Sequence, residues 1–136
     1  MNALPNTFAG MYILGGAQGN FVSANVFAGQ PSEGLRISES GTSFNLVHGN
    51  YFGTDATGGN AVPNGFAGVT VFAGATSNVI GGITASAANV ISGNGSYGVV
   101  VGDVGTSGNA VFGNRIGTDA SGTNALGNAF ANVAVR

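Results

Sequence analysis

Asn60-Ala61-Val62-Pro63-Asn64-Gly65-Phe66-Ala67-Gly68-Val69-Thr70-Val71 occurs three times, each time slightly altered. It is preceded by Asn2-Ala3-Leu4-Pro5-Asn6-Thr7-Phe8-Ala9-Gly10-Met11-Tyr12-Ile13. It is followed by Asn124-Ala125-Leu126-Gly127-Asn128-Ala129-Phe130-Ala131-Asn132-Val133-Ala134-Val135. The steps are 58 and 64 residues, so residues 2–59 and 60–123 are two copies and 124–136 open a third. A long fixed period marks a solenoid, in which each unit buries its apolar face only against its neighbours. The 136 residues fit one domain, 1–136, and a chain that starts and stops inside a repeat is expected to be part of a longer repeat protein.

Composition narrows the class. Charged residues make up 6% of the chain and hydrophobic ones 43%, the reverse of a disordered composition. The 26 glycines, with abundant Asn, Val and Thr, disfavour helix. Apolar residues come in short runs closed by Gly, Asn or Ser, which predicts many short strands and an all-β fold. The net charge is −2, and the three arginines, at 36, 115 and 136, are scattered without any lysine. No basic patch exists to neutralise phosphates, so nucleic acid is not an expected partner. The apolar runs fall far short of the roughly 20 residues of a membrane helix, so no membrane span is expected. No charged-then-apolar leader precedes the first repeat, and any such leader would be removed or belong to a longer parent. Without cysteine there are no disulfides or thiolate metal sites, and the compartment stays undecided.

A shorter rhythm runs inside each copy. Apolar strands are expected at Met11–Leu14, Leu35–Ser38, Val69–Phe72, Val99–Gly102 and Val133–Val135. Each is followed by an Asn-led strand (Asn20-Phe21-Val22, Asn45-Leu46-Val47, Asn78-Val79-Ile80, Asn109-Ala110-Val111). A third Asn-led strand comes next (Asn25-Val26-Phe27, Asn50-Tyr51-Phe52, Asn89-Val90-Ile91, Asn114-Arg115-Ile116). Three short strands per coil, with coils beginning at 11, 35, 69, 99 and 133, describe a parallel β-helix, or β-solenoid, of about four coils. Stacked at about 4.8 Å per coil, they make a rod about 20 Å long.

Alternation assigns the faces. Met11, Ile13, Leu35, Ile37, Val69, Val71, Val99, Val101, Val133 and Val135 are expected inside; Tyr12, Arg36, Thr70, Val100 and Ala134 outside. Asn at the strand starts suits tight bends, because it tolerates left-handed backbone and bonds its own turn. In register, Asn side chains can also bond one another along the axis. Asn45, Asn50, Asn78, Asn89, Asn109 and Asn114 are therefore assigned structural roles. The longer coils gain their length in Gly53-Thr54-Asp55-Ala56-Thr57-Gly58-Gly59-Asn60 and in Gly117-Thr118-Asp119-Ala120-Ser121-Gly122-Thr123-Asn124. These are expected to be loops that leave the coil and are pinned back by Phe66 or Phe130.

The strings Gly-Asn-Tyr-Phe-Gly-Thr-Asp-Ala-Thr-Gly (49–58), Asn-Val-Ile-Gly-Gly (78–82) and Asn-Val-Ile-Ser-Gly-Asn (89–94) make the chain resemble the bacterial right-handed parallel β-helix repeat proteins of the pectin-lyase-like group. The resemblance spans essentially all 136 residues. It implies a right-handed coil and a secreted or cell-surface protein, and covers both adhesin-like and carbohydrate-active members.

Few residues are candidates for chemistry. Asp55 and Asp119 sit at one repeat position two coils apart, about 10 Å along the axis. That lies near the upper end of the carboxylate spacing of an inverting glycosidase, about 6.5–9.5 Å. Repetition inside a Gly-Thr-Asp-Ala-Ser/Thr-Gly loop favours an Asx-turn that shapes the loop instead. Neither the Gly-Gly-x-Gly-x-Asp repeat nor the alternating ligands of a calcium loop are present, so no metal and no cofactor is expected.

Unrepeated residues give the second coil unusual polarity. Glu33, Arg36, His48 and Tyr51 stand where the next copy has Tyr97, Val100, Phe112 and Arg115, and Glu39 adds a further acid. A catalytic reading would use Glu39 or His48 as general base and Arg36 to stabilise developing negative charge. His48-Gly49 and Arg115-Ile116 are faintly similar to polygalacturonase motifs, but that family's lysine and paired aspartates are missing. Tyr12, Arg36 and Tyr51 are the ligand-binding candidates; Tyr97 and Phe112 are further aromatics able to stack on sugars, or simply to pack. These features point to a structural or adhesive repeat module whose expected partner is itself, end to end, and the resemblance implies that it is secreted or at the cell surface. The alternative is a carbohydrate-active enzyme or carbohydrate-binding module.

Overall fold

The structure, a computed structural model, describes residues 5–136; positions 2–4 of the first copy lie outside it. Thirteen strands form three parallel sheets. The first stacks β1 (Met11–Ile13), β4 (Leu35–Ser38), β7 (Ala67–Phe72), β10 (Tyr97–Val101) and β13 (Ala131–Val135). The second stacks β2 (Phe21–Ser23), β5 (Leu46–His48), β8 (Val79–Gly81) and β11 (Ala110–Phe112). The third stacks β3 (Val26–Phe27), β6 (Tyr51–Phe52), β9 (Val90–Ile91) and β12 (Arg115–Ile116). Every third strand therefore returns to the same sheet, giving a parallel β-helix of about four coils. The register Met11, Leu35, Val69, Val99, Val133 is the one the alternation predicts.

The core is a column of apolar residues, one layer per coil. Ile13, Val22, Leu35, Ile37, Val47, Phe52, Val69, Val71, Ile80, Ile91 and Val99 fill it. Phe27 stacks on Phe52 at 5.0 Å, continuing the packing from coil to coil. Of the residues expected inside, Met11, Val133 and Val135 are substantially exposed, because they belong to the outermost strands and have a neighbour on one side only. The outer row also departs from expectation: Thr70 and Val100 point away from the column, yet both are fully buried. A side chain at Gly68 or Gly98 would run into Ile91 or Ile116 of the column, while Ala67 and Tyr97 pack outside it. Ala67, Tyr97 and Val100 form a second small cluster, with Phe66, Phe72, Ala131 and Ala134 against it.

The corners are built by a division of labour between adjacent residues. Left-handed backbone belongs not to the asparagines but, at every such corner except Asn89, to the residue before: Ala24 (φ 58°), Phe44 (φ 56°), Ser77 (φ 56°) and the glycines 19, 49, 108 and 113. Ala88, before Asn89, ends the 3-10 turn in extended backbone. This corrects the expectation that Asn itself takes the strained bend. With the preceding residue making the turn, the Asn side chain is free to reach along the axis.

Three asparagine ladders result. Asn20, Asn45 and Asn78 each donate Nδ2–H to the Oδ1 of the next coil's asparagine, ending on Asn109, at 2.8, 2.8 and 3.0 Å. Asn25, Asn50 and Asn89 do the same toward Asn114, at 3.2, 3.0 and 2.8 Å. A third ladder, unforeseen from the sequence, joins Gln30, Asn64, Asn94 and Asn128 at the corner between third and first sheets. Asn45, Asn50, Asn64, Asn78, Asn89 and Asn94 are buried, so these bonds satisfy amides that would otherwise be costly inside.

Three excursions leave the coils. The extra length of the second copy lies between β8 and β9, where a single 3-10 turn, Ala85–Ala87, overhangs coil 2 and accepts Gly49 N–H at 3.2 Å through the Ala87 carbonyl. The two Asp-containing loops begin after β6 and β12, closed at their bases by the antiparallel pairs Thr54–Ala61 and Thr118–Ala125. They meet over the intervening coil, where Ala120 N–H donates to the Gly58 carbonyl at 3.0 Å.

Candidate functional site

Asp55 and Asp119 each organise their own loop. The Asp55 carboxylate accepts from the Asn60 amide at 2.7 Å, the Thr57 hydroxyl at 2.7 Å and the Gly59 backbone at 3.3 Å. Asp119 accepts from the Ser121 hydroxyl and the Asn124 amide, both at 2.6 Å, and from Gly122 N–H at 2.9 Å. The Asn60 amide, then the Thr57 hydroxyl, hold Asp55 well below the usual carboxylate range; Ser121, then Asn124, do so for Asp119. A carboxylate stabilised as the anion is a weak base, the opposite of what general-base catalysis requires. Phe66 and Phe130, expected to pin these loops, instead flank Tyr97 edge-on at 5.5 and 5.2 Å over the first sheet.

The polar residues of coil 2 do not converge. Arg36 lies on the outer face of the first sheet, where its guanidinium pairs with Glu33 at 3.2 Å and lies 5.7 Å from the Phe72 ring centre. Glu33 is buried, so this pair neutralises a charge that could not stand alone. Arg36 Nε and the Thr70 hydroxyl below it are buried without hydrogen-bond partners. Glu39 sits in the turn after β4 with positive φ (79°), and its carboxylate accepts Gly15 N–H at 3.0 Å. His48 lies on the second sheet, edge-on to Phe21 at 4.5 Å, with Nε2 buried and unpartnered. Arg36 and His48 thus project from different sheets of a closed coil, and no reacting atom could touch both.

Tyr51 and Arg115 are equivalent residues, and both support the Asp-containing loops: Tyr51 packs beneath Gly58 and Arg115 beneath Gly122. Tyr12 is 44% exposed on the outer row, and Phe112 42%. A cavity of about 280 Å³ opens beneath the overhanging 3-10 turn, lined by Phe21, Ser23, Ala24, His48, Gly49 and Ser86. His48 is the one site candidate it includes. Among the described residues, no group of three or more His, Cys, Asp or Glu comes together as a metal would need, and no helix is long and apolar enough to cross a membrane.

The polar network that the structure does assemble is the ladder system. Four of the six asparagines assigned structural roles donate Nδ2–H to a backbone carbonyl as well as to the next asparagine of the ladder: Asn45 to Ala17, Asn50 to Val22, Asn78 to Thr76 and Asn89 to Val47. Asn114, at the end of the second ladder, donates to Ile80. Asn109, at the end of the first ladder, donates to Ala75. The third ladder is hidden in the sequence because the loops precede Asn64 and Asn128, and because Gln30 stands in for an asparagine, accepting Asn6 N–H at 3.1 Å and passing its own N–H to Asn64. Its one signal is the recurrence of Asn6, Asn64 and Asn128 at the same position of the repeated segment. Comparison with family models, curated proteins and solved structures finds no match to this chain.

Proposed function

We propose that the protein is a structural module, a stiff β-solenoid spacer of a secreted or cell-surface bacterial protein of the pectin-lyase-like kind. The observation that carries this reading is the direction of the ladders. In every rung of the first two ladders the coil nearer the N-terminus donates, through both N–H and Nδ2–H, to the Oδ1 of the coil nearer the C-terminus. A coil stacked beyond Asn109 and Asn114 would meet donors, and one stacked before Asn20 and Asn25 would meet acceptors. Further coils, of this polypeptide or of another copy, therefore fit in one orientation only, head to tail, and open strand edges favour their addition. The placement of Arg36 on the first sheet, Glu39 in the turn after it and His48 on the second sheet, and the use of both loop aspartates as turn anchors, support a scaffold over an enzyme.

Sedimentation of the 136-residue chain over a concentration series, alongside a panel of acidic and neutral polysaccharides, tests this reading. Concentration-dependent, in-line association without glycan binding is the expected result. A strict monomer that binds or cleaves a polysaccharide, and loses that property on Tyr12→Ala or Arg36→Ala without loss of fold, would establish the carbohydrate reading instead.

A further inference from the structure

At two of its asparagines the third ladder differs from the other two in the residue that comes directly after. Asn45, Asn50, Asn78, Asn89, Asn109 and Asn114 precede Leu, Tyr, Val, Val, Ala and Arg, whereas Asn64 and Asn94 both precede glycine. Both features are imposed by packing. The ladder requires the amide, and the next residue must lie against the backbone of the preceding coil: a Cβ on Gly95 would come within 2.7 Å of the Gly65 carbonyl oxygen, and one on Gly65 would overlap the Pro31 carbonyl. The fold thus creates, at two buried positions, the dipeptide in which an asparagine amide is most open to attack by its own backbone.

We propose that Asn64 and Asn94 are deamidation sites that the native coil stack keeps closed, so that the third ladder records, irreversibly, any prolonged opening of the coils. The reaction needs only water. The glycine nitrogen gives up its proton and attacks the asparagine Cγ; the Cγ–Nδ2 bond breaks and ammonia leaves with that proton. Water then adds across either C–N bond of the cyclic imide, leaving an aspartate or isoaspartate carboxylate and a proton. Attack requires the glycine nitrogen to be free and the side chain to swing onto it.

In the native coil neither condition holds. Gly65 N–H donates to the Gln30 carbonyl and Gly95 N–H to the Asn64 carbonyl, both at 2.8 Å. Asn64 Nδ2 is held by the Phe27 carbonyl and by Asn94 Oδ1, both at 2.9 Å. Asn94 Nδ2 is held by Asn128 Oδ1 at 2.8 Å and by the Phe52 carbonyl at 3.2 Å. Both residues are shielded from water, at 0 and 1% exposure. The change is one-way in its structural effect. A carboxylate at position 64 has no hydrogen to give to Asn94 Oδ1 or to the Phe27 carbonyl, and it is buried without a cation. An isoaspartate link also lengthens the backbone and shifts the coil out of register.

Wild-type chain is incubated at mildly alkaline pH with and without denaturant, and conversion is located by peptide mass spectrometry. In denaturant, Asn64 and Asn94 are expected to convert ahead of the other ladder asparagines. In buffer their conversion should be slower by about tenfold or more, because it must wait for local opening. On removal of denaturant, unconverted chain should refold and converted chain should stay out of the folded fraction. Conversion at either site in buffer less than about tenfold slower than in denaturant, or converted chain recovering the wild-type melting transition, would overturn the proposal.

Discussion

In the first copy the outer face of the first sheet carries the Glu33–Arg36 ion pair; in the second the same two positions are Tyr97 and Val100, buried in an apolar cluster. His48 and Tyr51 of the first copy likewise become Phe112 and Arg115. The inner positions behave oppositely. Leu35, Ile37 and Val47 of coil 2 correspond to Val99, Val101 and Val111 of coil 4, apolar for apolar, and Asn45 and Asn50 correspond to Asn109 and Asn114 without change. The inside of a coil must match the coil above and below it, whereas the outside answers only to solvent and its immediate cover. The repeat therefore encodes the solenoid, and the differences between copies encode surface individuality.

The largest effect that would break this comparison is a charge placed inside. Val71→Asp buries a carboxylate without a partner in the fully shielded column, costing on the order of 5 kcal/mol, comparable with the whole stability of a small domain. Far-UV circular dichroism and thermal melting should show an unfolded chain. The same change at the outward Tyr12 should cost no more than about 1 kcal/mol.

Next comes the ladder. Asn89→Ala removes the acceptor for Asn50 N–H and Nδ2–H, at 3.0 Å each, and the donors to Val47 O and Asn114 Oδ1, all near the column. Loss of about 3 kcal/mol is expected from such buried, abandoned partners. Asn20→Ala, in the first coil and exposed, should lose about 1 kcal/mol, and denaturant titration of the two variants measures the difference.

The outer faces should be exchangeable as units and not residue by residue. Arg36→Ala strands the buried Glu33 carboxylate and should cost about 1–3 kcal/mol, the pair being partly open to water on the arginine side. Adding Glu33→Tyr to Arg36→Val, which copies the second repeat onto the first, should recover most of that loss. A double variant no more stable than Arg36→Ala in thermal melting would show that the two faces are not interchangeable.

The smallest effect concerns the corners. Ser77 has φ 56° where Gly19 and Gly108 stand in the equivalent turns of other coils. Ser77→Gly relieves a left-handed residue worth about 1–2 kcal/mol, against about 0.5–1 kcal/mol of added unfolded-state entropy. A small rise in melting temperature is expected.

Much of the solenoid is legible in the sequence because period-2 alternation and Asn spacing both follow from local geometry. The strand register and two of the three ladders emerge directly from those signals. The hidden features depend on contacts between distant segments. Thr70 and Val100 look solvent-facing by alternation, yet Val100 is covered by its cluster with Ala67 and Tyr97, with Phe66 and Phe72 against it, and Thr70 lies between Arg36 and Val100 in register. Neither Phe nor Ser favours left-handed backbone, so the sequence points to the asparagines after Phe44 and Ser77 as the left-handed corners. The candidate residues Arg36, Glu39 and His48 are close in sequence, but Arg36 lies on the first sheet, Glu39 in the turn after it and His48 at the end of a strand of the second sheet.

The central claim, that asparagine side chains bind coil to coil inside the solenoid, is tested most directly by hydrogen exchange of the side-chain amides measured by NMR. The Nδ2 protons of Asn45, Asn50, Asn64, Asn78, Asn89 and Asn94 should exchange as slowly as the backbone amides of Val69 and Val71, while those of Asn132, exposed on the last strand and engaged only through its Oδ1, exchange freely. Exchange of the buried amides at the rate of Asn132 would contradict the ladders.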